Sequence, residues 1–182
     1  MPVTTPTRRT FAAATAAWLA SRALPAAAAP GRNQDDTDVW TGSMLLDQAG
    51  RSFALTELQR PLTLLKPWAG WCPACAQELP QLSALAAVLG RSVEVVLVSH
   101  PQYWDADQVA ARRRGVPFRL ATFAPSTPGP MIGQALLEAN GAFVVPRSLV
   151  FRERDRSIVL KRDGATEWGS GSVVAQVKAL LG

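Results

Sequence analysis

Cys72 and Cys75 are the only cysteines in the 182-residue chain, and they stand C-x-x-C within Trp68-Ala69-Gly70-Trp71-Cys72-Pro73-Ala74-Cys75. Residues of that type and spacing suit a redox-active dithiol. Pro73 fits the first turn of a helix, where its missing N–H leaves no bond unmade, so Cys72 is expected at a helix N-terminus. The unpaired N–H groups and the macrodipole there favour an anion. A Cys72 thiolate is thereby stabilised relative to a free thiol, and it attacks and leaves more readily near neutral pH. Cys75, one turn on, can close an internal disulfide.

Other uses of the pair fare worse. A structural zinc needs about four ligands, and beyond the two cysteines the chain offers a single histidine, His100. Attachment of a c-type haem needs a histidine directly after the second cysteine, where Ala76 stands. A purely structural disulfide stays open as a reading, although so short a loop constrains the unfolded chain little. Neither a metal nor a cofactor other than the Cys72–Cys75 disulfide is therefore expected.

The elements around the pair follow from hydrophobic pattern. Residues 62–66 form a short apolar run leading into the cysteines, as a buried parallel strand would, with residues 93–99 as its partner. Between them, residues 75–89 place Leu79, Leu82, Leu85, Ala86 and Leu89 at helical spacing with Gly90 as a stop. Residues 44–55 read as two short strands around a turn ending in Gly50. Further on, residues 106–114 read as a helix, 118–123 as a strand, 125–130 as a loop and 131–139 as a helix. Residues 148–151 and 158–162 read as an antiparallel pair with a charged turn, and 172–181 as a closing helix.

Charge and the N-terminus bound the setting. Residues 1–29 carry Arg8, Arg9 and Arg22, no acid, and an alanine-rich apolar stretch too short to span a bilayer, so they read as an export signal. Thr7-Arg8-Arg9-Thr10-Phe11 resembles a twin-arginine signal. Cleavage near Ala28 is the expectation, with a retained membrane tether as the alternative. Residues 30–41 read as a polar linker and 42–182 as one domain. The formal charge of the full chain is +5. Loss of three arginines with the signal brings it close to balance, so the basic character does not argue for nucleic acid. Arg112-Arg113-Arg114 is the one basic cluster left, and it reads as a solvated helix end.

The segment from Trp68 to Cys75 resembles the active-site segment of the thioredoxin fold. Glu78, three residues after Cys75, and Pro80 resemble its exported TlpA-like branch, the ResA and CcmG type, over roughly residues 43–181. The resemblance implies an α/β thioredoxin-like fold, a mixed central sheet flanked by helices, with an N-terminal β-hairpin. It also implies a cis proline beside the cysteines, at Pro146, leaving the Val145 backbone open to a substrate segment by strand addition. Cys72, Cys75 and Glu78 are then the reacting set, with Glu78 taking the Cys75 proton. Trp71, on an exposed rim, Pro73, Val145 and Pro146 meet the substrate. Lys66 and Trp68 tune the pair, Trp68 chiefly by packing.

Two departures bear on direction. Lys66 stands six residues before Cys72, where thioredoxins place a buried aspartate. A cation near the sulfur would favour thiolate and a more oxidising pair, but the expectation is a side chain tilted to solvent at the strand end. Val145 stands where the branch usually shows threonine, and valine occupies this place in DsbA-like oxidants. The resemblance thus implies a periplasmic, monomeric protein-disulfide oxidoreductase, reducing substrate disulfides in cytochrome c or metal-site maturation. Its electron donor would be a membrane reductase of DsbD or CcdA type, with no nucleic-acid partner. A DsbA-like disulfide donor and a redox-inert peptide-binding or chaperone-like module are the alternatives. A peroxidase of this fold would carry threonine at position 69, where Ala69 stands.

Overall fold

The computed structural model describes residues 44–124, 138–139 and 142–182. The expected signal, the linker and the loop over 125–130 lie outside these residues. Seven strands make one mixed sheet in the order β2-β1-β5-β4-β3-β8-β9. They are β1 (Met44–Asp47), β2 (Ser52–Ala54), β3 (Leu62–Pro67), β4 (Val93–Ser99), β5 (Arg119–Phe123), β8 (Arg147–Arg152) and β9 (Ser157–Asp163). A separate ribbon pairs β6 (Glu138–Ala139) with β7 (Ala142–Phe143). Three α-helices are described: α1 (Pro73–Leu89), α2 (Trp104–Arg113) and α3 (Gly171–Ala179). The N-terminal hairpin forms as expected, Leu45 opposite Phe53, with Gly50 at φ +76 in its turn. Of the helix expected over 131–139, residues 131–137 lie outside the described residues and the last two are not helical. Glu138 and Ala139 are extended, and hydrogen bonding to the following strand takes them out of any helix.

β3 is an inner strand of the sheet, parallel to β4 and antiparallel to β8, and all six of its residues are buried. Alternation along the strands sorts side chains into two cores. Leu62 and Leu64 of β3, with Val93, Val95 and Leu97 of β4, pack against Leu79, Leu82, Leu85 and Leu89 of α1 and Val173 and Val177 of α3. Leu65, Val96, Val98, Leu149 and Phe151 form the core on the opposite face with Leu45 and Phe53. The crossover β3–α1–β4 thus sets the N-terminus of α1 at the end of the most buried strand, and Cys72 is its N-cap. Pro73 opens the helix, Pro80 lies inside it, and Gly90 stops it at φ +54.

Candidate active site

Cys72 and Cys75 form a disulfide at the N-terminus of α1. The Cys72 sulfur also accepts the Cys75 backbone N–H at 3.1 Å, so a thiolate at that position meets one of the helix's otherwise unpaired donors. Both cysteine residues are buried, Cys75 completely and Cys72 to all but 4%. Trp71 is 57% exposed and meets the edge of Tyr103 at 5.8 Å, so it stands on the rim as expected. Trp68 is fully buried in the α1-side core. The Val145–Pro146 bond is cis. The Pro146 carbonyl accepts from Gly164 N–H at 2.9 Å, Val145 packs against the core that holds the cysteines, and no backbone hydrogen bond of Val145 occurs among the described residues.

Lys66 departs from expectation. It is completely buried rather than tilted to solvent. Its alternation with Leu62 and Leu64 turns it to the α1 face, where water is excluded. There its Nζ lies 2.7 Å from Glu78 Oε2, and it donates to Arg147 O at 3.3 Å and Ser148 Oγ at 3.2 Å. Burial pushes the Lys66 ammonium down from its ordinary 10.5, and Glu78 beside it pushes it back up. Glu78 is enclosed as well. Its Oε1 accepts from Thr166 N–H at 2.9 Å and Trp168 Nε1 at 3.1 Å, so Trp168 is a tryptophan that holds it by a hydrogen bond.

Sequence reasoning missed Trp168 and Thr166, whose bonds to Glu78 span 90 and 88 residues. It also missed Asp107, which sits buried on α2 and accepts the Gly70 N–H at 2.7 Å and the Ser99 hydroxyl. Arg114, read as part of a solvated cluster, donates to the Gly70 carbonyl at 3.0 Å although it is exposed. Both backbone groups of Gly70, two residues before Cys72, are thus held from α2 and the residue that follows it. No signal pointed to Arg114, but an acid in the first turn of a helix next to a redox loop could have drawn attention to Asp107.

This clamp needs glycine. A Cβ at position 70 would lie 2.5 Å from Ala110 Cβ and 3.2 Å from Asp107 Oδ1. Gly70→Ala is expected to cost about 1 to 3 kcal/mol in chemical denaturation, the usual range for overpacking. A loss within error would mean that α2 moves aside freely.

Asp107 carries a second prediction. Burial pushes its carboxyl up from the ordinary 3.8, against the bonds from Ser99 and Gly70 that pull it down. A raised folded-state value means that this group's contribution is fully present below the unfolded value and is lost as pH rises through the folded one. The stability advantage of the parent over Asp107→Asn is therefore expected to shrink as pH rises above the ordinary carboxylate value, read by urea unfolding at each pH. A difference that stays constant or grows with pH would refute it.

A mixed seven-stranded sheet with α1 and α3 on one face, a C-x-x-C at the N-cap of α1 and a cis proline directly before β8 make the thioredoxin-like fold. Solved structures agree. The chain is similar to DsbF of Mycobacterium tuberculosis, solved in mixed oxidised and reduced forms, with a TM-score of 0.58 and 20% identity over 78% of this chain and 97% of that one. A thiol:disulfide interchange protein of the thioredoxin family from Chlorobium tepidum TLS matches with a TM-score of 0.58 and 18% identity, over 78% and 97%. A secreted M. tuberculosis disulfide oxidoreductase, homologous to E. coli DsbE, matches at 0.54 and 17%, over 82% and 98%. No family profile and no curated protein matches the sequence.

Proposed function

We propose that the chain is an exported thiol-disulfide oxidoreductase that reduces disulfides in protein substrates. The observation that carries this reading is the placement of a C-x-x-C disulfide at a helix N-terminus, with the Cys72 sulfur at the N-cap accepting a backbone N–H. In the reduced protein the Cys72 thiolate attacks a substrate sulfur. One substrate S–S bond breaks, the displaced thiolate takes a proton, and a mixed disulfide forms. Cys75 then gives its proton to Glu78, one helical turn away, and attacks Cys72. That step closes the Cys72–Cys75 disulfide and releases the second substrate sulfur as a thiol. An extended substrate segment would pair with the Val145 backbone, with Trp71 and Pro73 at the rim.

Pairing of Lys66 with Glu78 favours the reducing direction. A lone buried cation would stabilise a Cys72 thiolate and make the pair more oxidising, but here the carboxylate offsets it. Electrons would return through a membrane reductase of DsbD or CcdA type, in the periplasm, after export directed by residues 1–29. Cytochrome c or metal-site maturation supplies clients of the right kind, and the protein would work as a monomer. Among the described residues no helix is long and apolar enough to cross a membrane.

The deciding experiment is the equilibrium reduction potential of the Cys72–Cys75 pair, titrated against dithiothreitol or glutathione couples. A value near or below about −230 to −270 mV supports the reductase. A value near about −120 mV makes the protein a disulfide donor, and Val145 before the cis proline is then the feature to examine.

A further inference from the structure

A disulfide holds its own loop only while it is closed. With the S–S bond broken, Cys72 keeps its place at the N-cap of α1 only if the residues before it are held by something else. Trp68 is tied to β4, its N–H donating to Val98 O at 2.9 Å, and Cys72 N–H donates to Ala69 O at 3.0 Å, which closes a turn over Gly70 and Trp71. The grip on those two residues comes from α2 and the residues that flank it. Tyr103, just before the helix, meets the Trp71 ring, and Asp107 Oδ1 accepts the Gly70 N–H. Ala110 lies where a Cβ on Gly70 would have to go, and Arg114, just after the helix, donates to Gly70 O. These four positions are spaced by four, three and four residues, so they fall on one face. Asp107, buried to all but 1%, is anchored in turn to the end of β4, where the Ser99 hydroxyl donates to its Oδ2 at 2.5 Å.

We propose that this face of α2 is a clamp that keeps the Cys72 sulfur at the helix N-terminus in the reduced protein, with Asp107 and Arg114 as its positioning residues. The proposal rests on the oxidoreductase reading and deepens it. Both bonds fall on the backbone of Gly70, so they fix the path of the loop without touching sulfur. A Cys72 that leaves the N-cap loses the Cys75 N–H and the helix dipole, and its thiol moves back toward the ordinary value of about 8.5. A contact that merely stabilised the fold would not act on that titration. The other charged or titratable groups on the surrounding elements have partners or face solvent. Lys66 and Glu78 pair with each other, Arg147 with Asp163, and His100 Nδ1 accepts from Gln102 N–H at 3.1 Å. Asp105, Arg112 and Arg113 are exposed.

The test uses the full chain carrying Cys75→Ser, in which Cys72 is the sole thiol. Its thiolate is followed against pH by ultraviolet absorbance and by alkylation rate with iodoacetamide. Adding Asp107→Ala, which removes the acceptor, is expected to raise the midpoint by about one pH unit. Adding Asp107→Asn instead is expected to leave it at or below that of the parent. The amide oxygen can still accept from Gly70, its N–H can donate to Ser99 Oγ, and a negative charge that would oppose the thiolate is gone.

An Asp107→Ala midpoint that stays in place or falls would overturn the proposal, and so would a rise in Asp107→Asn more than half as large as the rise in Asp107→Ala. If Asp107→Ala does not fold, Arg114→Ala decides, at an exposed position and in about 0.5 M salt so that the lost charge is screened. A raised midpoint there supports the clamp, and an unmoved or lowered one rejects it. The titration needs no substrate. A parent protein with no disulfide exchange would remove the functional reading and still leave the midpoints to be read.

Discussion

Cys72→Ser is expected to abolish turnover of any protein disulfide, whereas Cys75→Ser should retain the first attack and stall there. The difference follows from placement: Cys72 is the N-cap of α1 and keeps the little exposure the two residues have, whereas Cys75 lies inside the helix and is fully buried. With Cys75 removed, the mixed disulfide has no internal nucleophile to resolve it. A covalent adduct between the Cys75→Ser protein and its substrate should therefore accumulate. It would be seen as a band on non-reducing electrophoresis that dithiothreitol removes. A redox-inert binding module gives the opposite pattern, with equal substrate affinity in the parent and in Cys72→Ser and no adduct in either variant.

Removing one member of the buried charge pair carries the second large effect. Lys66→Ala leaves the Glu78 carboxylate facing Thr166 N–H and Trp168 Nε1 with no cation, and a broken buried pair of this kind costs about 3 to 5 kcal/mol. The double variant Lys66→Met with Glu78→Gln should recover most of that loss. Met keeps the bulk of the lysine stem, and the Gln carbonyl oxygen can still accept from Thr166 and Trp168, so neither donor is orphaned. Glu78→Leu would not serve, because both donors would be buried without a partner at about 1 to 3 kcal/mol each. Guanidinium unfolding of the three proteins measures this. A Lys66→Ala loss under about 1 kcal/mol would show that the pair is hydrated and weak.

What could be read from the sequence was local. Pro73 after Cys72 predicts the helix start, the leucine spacing predicts α1, Gly90 predicts its end, and the apolar runs place β3 beside β4. Those features depend on neighbours a few residues away. Lys66 was also within reach, since two-residue alternation from Leu62 and Leu64 already turns it inward. The charge made a solvent-facing reading look cheaper, because its partner was not in view. That partner, Glu78, is itself held by groups 88 and 90 residues further on, and no local pattern announces such contacts. Asp107 and Gly70 were hidden for the same reason: their bond crosses 37 residues. Glu138 and Ala139, expected at the end of a helix, show the opposite failure, since strand pairing overrides the helical pattern there.

The sheet ends on β2, three residues long, and on β9, which pairs only with β8. β9 carries Lys161, Arg162 and Asp163 toward its C-terminal end, opposite the Pro146 end of β8. Charged side chains on an open strand discourage another chain from adding to it. An unfolded polypeptide can stack onto any free strand it meets, so a protein whose proposed task is to receive an extended segment at Val145 has to keep its other edges closed. The short β2 and the charged end of β9 discourage such stacking at the sheet's two margins.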